Sequence, residues 1–82
     1  MLNPALLLAA PIVIAVKAQP LNKALVALAV EANISISTPK GLAGIQAPAL
    51  KGRMPVDDAL ELLLKGSGYA YRRIDAATYE IV

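Results

Sequence analysis

The chain has neither histidine nor cysteine, so the ordinary general base, the thiolate nucleophile and the nitrogen and sulfur metal ligands are all missing. Only carboxylates, hydroxyls and cations remain for chemistry. The tightest carboxylate grouping is Asp57, Asp58 and Glu61, oxygen ligands of the type a hard cation takes. Asp57 and Asp58 open an apolar helical pattern, however, and there they complement the positive end of a helix dipole. A solvated first helical turn is the stronger reading, and no metal is expected. Gly66, Ser67 and Gly68 suggest a phosphate loop, but such a loop precedes a helix and these glycines follow one, so helix capping is favoured. Lys51 and Arg53, with Arg72 and Arg73, could form a basic patch beside Tyr69 and Tyr71, a combination used by single-strand nucleic-acid platforms. The net charge is only +2, from eight basic and six acidic residues spread along the chain. Tyrosines packed on helices, with the arginines in water, is the stronger account. No catalysis, cofactor, nucleic acid or small-molecule substrate is expected. What survives is a surface for binding protein, with an edge strand as one means of doing so.

These residues must be positioned by a small body. At 82 residues there is room for one domain, one that buries roughly 60 to 65% of its unfolded surface. Hydrophobic residues make up 57% and charged residues 17%, a balance for a folded domain. Much of the apolar content is alanine, which adds little core volume. Without cysteine there is no disulfide, and the redox compartment stays open.

Sliding the sequence by about 35 residues exposes an internal repeat. Pro20 falls on Pro55, Leu21 on Val56, Asn22 on Asp57, Ala24 on Ala59, Leu25 on Leu60 and Leu28 on Leu63. Further on, Asn33 falls on Gly68, Ile34 on Tyr69 and Ile36 on Tyr71. Each unit reads as proline, amphipathic helix, turn residue and alternating strand.

Residues 12–17 (I-V-I-A-V-K) form a β-branched run that reads as a first strand. Residues 18–20 then break its ladder, since proline has no N–H. In the first helix Leu21, Ala24, Leu25, Leu28, Ala29 and Ala32 form the core stripe. Val26 and Val30 lie off it, so cover on two sides is expected. Asn33 is the expected left-handed end, and residues 34–37 (I-S-I-S) form a second strand. Residues 45–53 stand where a third strand belongs, but Pro48 and Gly52 make it an edge strand or an irregular one. The second helix starts near Pro55 or Val56, with Val56, Ala59, Leu60, Leu63 and Leu64 inward and a Glu61–Lys65 pair outside. Residues 69–74 and 78–82 complete a hairpin. The fold class is α+β, βαβ followed by βαββ.

Residues 2–16 carry no charge. The run is too short to cross a membrane comfortably, and Pro4 and Pro11 interrupt it. As a signal peptide it lacks the positive leading region. Residues 1–11 read as an apolar lead-in or export-segment remnant, or else as an ordered extension, and residues 12–82 as the domain.

The motifs A-Q-P-L-N-K-A-L at residues 18–25, A-P-A-L-K-G-R-M-P-V-D-D-A-L-E-L-L-L at 47–64 and K-G-S-G-Y-A-Y-R-R at 65–73, in this order and spacing, resemble the secretin and TonB short N-terminal domain. The likeness is to the signalling domain of TonB-dependent outer-membrane transducers and covers roughly residues 12–82, nearly the whole chain. It implies two βαβ motifs whose helices are sandwiched between two small sheets. It also implies a periplasmic domain of a Gram-negative outer-membrane protein whose chain continues into a barrel. The partner implied is the periplasmic domain of an anti-sigma regulator, to which occupancy by an iron chelate is relayed. Two alternatives stay open: a ring domain of a secretin-type export channel, and the similar C-terminal domain of the regulator itself. Pro48 and the K-G-S-G-Y segment favour the transducer type. The contact is expected at an exposed strand edge and a rim made by Lys51, Arg53, Tyr71, Arg72 and Arg73.

Overall fold

The structure, a computed structural model, describes residues 11–82. Apart from Pro11, the lead-in expected at 1–11 lies outside the described residues. The elements in order are β1 (Ile12–Val16), β2 (Gln19–Pro20), α1 (Leu21–Ala32), β3 (Ser35–Ser37), a 3-10 turn (Leu42–Gly44), β4 (Gln46–Ala47), β5 (Leu50–Met54), α2 (Val56–Leu64), β6 (Tyr71–Asp75) and β7 (Thr78–Ile81).

Both helices start directly after a proline. Pro20 (φ −53°, ψ 142°) and Pro55 (φ −64°, ψ 155°) hold extended backbone at the N-cap, and neither helix has a side-chain cap bond there. Helix α1 buries Leu21, Ala24, Leu25 and Leu28, and α2 buries Ala59, Leu60, Leu63 and Leu64. Asn33 ends α1 in the left-handed region (φ 55°, ψ 49°). The N–H of Asn33 donates to the Val30 carbonyl at 3.3 Å and that of Ile34 to the Ala29 carbonyl at 3.0 Å, the paired bonds of a Schellman end.

Helix α2 has 9 residues against 12 in α1. Gly66 (φ 77°) turns the chain out early, and Gly68 (φ 84°) repeats the left-handed backbone of its counterpart Asn33. The Ser67 hydroxyl donates to the Leu64 carbonyl at 2.6 Å and accepts the Tyr69 N–H at 3.0 Å. The glycine–serine segment is therefore a helix end, as its place after the helix implies.

The sheets mix the two halves of the repeat. Strands β1 and β5 pair antiparallel, with Ile12 opposite Met54 and Val16 opposite Leu50. Strand β3 runs parallel to β7, which pairs antiparallel with β6, giving the order β3-β7-β6. Helix α1 packs against β1 and against β3, while α2 packs against α1 and β5. Ile14, Leu21, Leu25, Leu28, Leu42, Leu60 and Leu63 form the fully buried centre. The α+β arrangement of two helices between small sheets is the one the repeat and the resemblance imply.

Three local expectations are corrected and one is made specific. Gln19 and Pro20 do not simply end a ladder: they pair with Ala47 and Gln46 as β2–β4, and the Leu21 N–H continues the contact to the Ile45 carbonyl at 2.7 Å. An antiparallel bridge of this length tolerates the missing proline donor because Pro20 stands at its end. The third strand is irregular as expected, split into β4 and β5 on either side of Pro48. Val26 and Val30 remain 63% and 75% exposed, so the sheets do not cover that side of α1. Glu61 and Lys65 make no ion pair, the Arg72–Glu80 contact being the one found among the described residues. Both side chains are exposed, and an attraction of a few tenths of a kcal/mol does not overcome their freedom in water.

Candidate functional site

Alternation along β6 and β7 sorts their side chains onto two faces. Tyr71 lies opposite Ile81 and Arg73 opposite Tyr79, and Tyr79 and Ile81 are buried, so this is the inward face. Arg72 lies opposite Glu80 on the outward face and forms an ion pair with it. Arg72 and Arg73 therefore point to opposite sides of one sheet.

The inward face carries an aromatic and acidic cluster. The rings of Tyr71 and Tyr79 lie 6.1 Å apart at 55°, within the tilted geometry aromatic pairs prefer. The Arg73 guanidinium stands 6.0 Å from the centre of the Tyr79 ring, at the reach of a cation–π contact. The Tyr79 hydroxyl donates to Asp57 Oδ1 at 2.9 Å, tying the first turn of α2 to the last strand. Burial, then the bond to Asp57 and its negative charge, push the Tyr79 hydroxyl up to about 12, against the opposing pull of Arg73. The Tyr71 hydroxyl is also raised, first by burial and then by the carboxylates of Asp57, Glu61 and Asp58.

Asp57 is thus not merely a solvated first-turn residue: it is half-buried and holds Tyr79. Sequence reasoning missed this pair. The available signal was the alternation of T-Y-E-I-V, which turns Tyr79 and Ile81 inward together, and a buried tyrosine hydroxyl needs an acceptor. Asn22 is the repeat counterpart of Asp57. Its Oδ1 is buried without a hydrogen-bond partner, so the two halves differ here.

Lys51 and Arg53 belong to the other ladder. They lie opposite Ala15 and Val13 on the outward face of β1–β5, where all four side chains are exposed and Val13 is 75% exposed. The five rim residues are therefore divided. Lys51 and Arg53 share one outer face, Arg72 faces outward from the second sheet beside Glu80, and Tyr71 and Arg73 face α2. The free edge of β1 is partly closed, since the Ala15 N–H donates to Glu31 Oε1 at 2.8 Å. Strand β3 forms an edge of the three-stranded sheet. Among the described residues no group of three or more acidic side chains is arranged to hold a metal ion.

Residues 32–81 match the family described as the Secretin and TonB N terminus short domain. The chain belongs to that family. It is 36% identical over 67 residues to the ferric-pyoverdine 358 receptor of Pseudomonas putida, a match covering 80% of this chain and 8% of the receptor. The periplasmic signalling domain of the outer membrane iron transporter PupA from Pseudomonas putida, solved in solution, is 32% identical with a TM-score of 0.78, covering 90% of each chain. The ferripyoverdine receptor of the outer membrane of Pseudomonas aeruginosa superposes with a TM-score of 0.81 at 22% identity, over 88% of this chain and 10% of that receptor. The last likeness is one of fold. This short domain is a periplasmic domain of the TonB-dependent outer-membrane receptor kind. No helix among the described residues is long and apolar enough to cross a membrane.

Proposed function

We propose that this domain relays siderophore occupancy of a TonB-dependent outer-membrane receptor to the periplasmic domain of an anti-sigma regulator, acting by binding and not by catalysis. The observation that carries the reading is the match to the PupA periplasmic signalling domain over 90% of both chains. In this reading the domain hangs below a barrel belonging to the same polypeptide, and the iron chelate is bound there and not by the short domain. The relatives named above are receptors or the signalling domain of an outer membrane iron transporter, which favours this parent over a secretin ring or the regulator itself.

The contact uses the cations and a strand edge. Lys51 and Arg53 are the better placed pair, because they share an exposed face with Val13. Arg72 is already neutralised by Glu80, and Arg73 is engaged over Tyr79. The test is titration of a regulator's periplasmic fragment into the 82-residue chain, followed by calorimetry. Charge reversal at Lys51 and Arg53 together should weaken binding by roughly tenfold, about 1.4 kcal/mol, with thermal stability nearly unchanged. Reversal at Arg72 and at Arg73, made separately because they lie on opposite faces of the second sheet, tests the rest of the rim. Unaltered affinity in every variant removes the rim, and no binding by the unsubstituted chain removes the relay.

A further inference from the structure

We propose that the groove between the C-terminal half of α2 and the start of β6 receives an arginine side chain from the partner protein. This rests on the protein-binding reading above and gives its partner a chemistry. The groove encloses about 560 Å³, and its walls include Glu61, Leu64, Tyr69 and Tyr71. Both tyrosines are half-buried, so their rings are held by the core while part of each remains open to the groove.

Three observations select a cation, and among cations a guanidinium. Glu61 is exposed and makes no ion pair or side-chain hydrogen bond among the described residues, which leaves its carboxylate free beside two aromatic rings. Asp57, Glu61 and Asp58 all act on the Tyr71 hydroxyl, so negative charge gathers at the Tyr71 end of the groove; among the described residues its own charged walls are Glu61 and Lys65. The molecule already practises this chemistry internally, since the Arg73 guanidinium stands over the Tyr79 ring while the Tyr79 hydroxyl holds a carboxylate. A planar guanidinium stacks on a tyrosine and meets a carboxylate through two N–H groups, which an ammonium does not.

The rim is kept open. Gly66 and Gly68 line the groove with left-handed backbone (φ 77° and 84°), and a Cβ at either would meet nothing within 4 Å. Left-handed backbone disfavours side chains there.

The test is a nuclear magnetic resonance titration of the labelled 82-residue chain with Nα-acetyl-arginine amide, run beside its citrulline and lysine analogues. A ligand of that size should bind with a dissociation constant on the order of millimolar, shifting the amides of Glu61, Gly66, Tyr69 and Tyr71. Citrulline, which keeps the shape and loses the charge, should bind at least about fivefold more weakly. Glu61→Gln should weaken arginine binding to a similar extent with an unchanged melting temperature, and Lys65→Ala should strengthen it. Equal responses to arginine and citrulline, shifts confined to other surfaces, or lysine binding as tightly as arginine would each overturn the proposal. Should arginine fail while a regulator fragment still binds, the groove is refuted and the relay stands. Should arginine bind and no fragment do so, the relay is refuted and the groove stands.

Discussion

Removing the Tyr79 hydroxyl perturbs the join between α2 and the last strand while leaving the packing of the ring in place. Tyr79 is 2% exposed and donates to Asp57 Oδ1 at 2.9 Å, and a hydrogen bond to a charged group contributes about 1.5–3 kcal/mol. A domain of this size holds roughly 4–12 kcal/mol in all, so Tyr79→Phe removes a sizeable share. The melting temperature should fall on the order of 10 °C. Urea denaturation at pH 7 measures the loss directly, and a difference under about 0.5 kcal/mol would refute the idea that this bond anchors the helix. The pH dependence supplies a second reading. The folded hydroxyl lies at about 12 against an ordinary value of 10.0, a raised group, so its stabilisation is complete below pH 10 and is lost as pH rises through 12. The gap between the unsubstituted chain and Tyr79→Phe should therefore be constant from neutral pH to about 10 and close above that. A gap that persists at the alkaline end would mean that the phenol proton is not what holds Asp57.

Three further outcomes follow from local geometry. Asn33→Ala should cost about 1–2 kcal/mol in urea denaturation, because Asn33 sits at φ 55°, while Asn33→Gly should be nearly neutral. Leu60→Ala, at a fully buried core position, should cost about 2–5 kcal/mol and lower the melting temperature more than any rim substitution. The Asp75 carboxylate accepts the Ala77 N–H at 2.9 Å, and this bond, with others to Thr78 and the nearby Arg73 charge, holds its pKa below the ordinary 3.8. Its contribution is present above that value and lost as pH falls through the lower folded one. Acid unfolding of the unsubstituted chain and of Asp75→Ala should therefore differ near neutral pH and converge in strong acid.

Features that depend on neighbours in the chain were legible from the residues alone. The prolines before both helices, the buried stripes from Leu21 to Leu28 and from Ala59 to Leu64, and the left-handed Asn33 each follow from spacing or from a single residue's backbone preference. The motif order read the family as well. The candidate site was less legible. Residue types located the tyrosines and cations along the chain, but Arg72 and Arg73 read as neighbours in one patch, whereas strand alternation sends them to opposite faces. Lys51 and Arg53 lie on a separate ladder. The Tyr79–Asp57 bond spans 22 residues, and no local pattern announces its partner.

The amino-acid order by itself determined where each helix starts, which side it buries and where it stops, since backbone sterics and a 3.6-residue period act over one or two turns. Tertiary structure alone decided that the repeat's halves build their sheets jointly, with β1 on β5 and β3 on β7. Pairing across that distance is selected by the shared burial of both helices, a property of the assembled core. The same assembly divided the basic residues and set Tyr71 beside Glu61, because which face a strand residue shows depends on the strand it is hydrogen-bonded to.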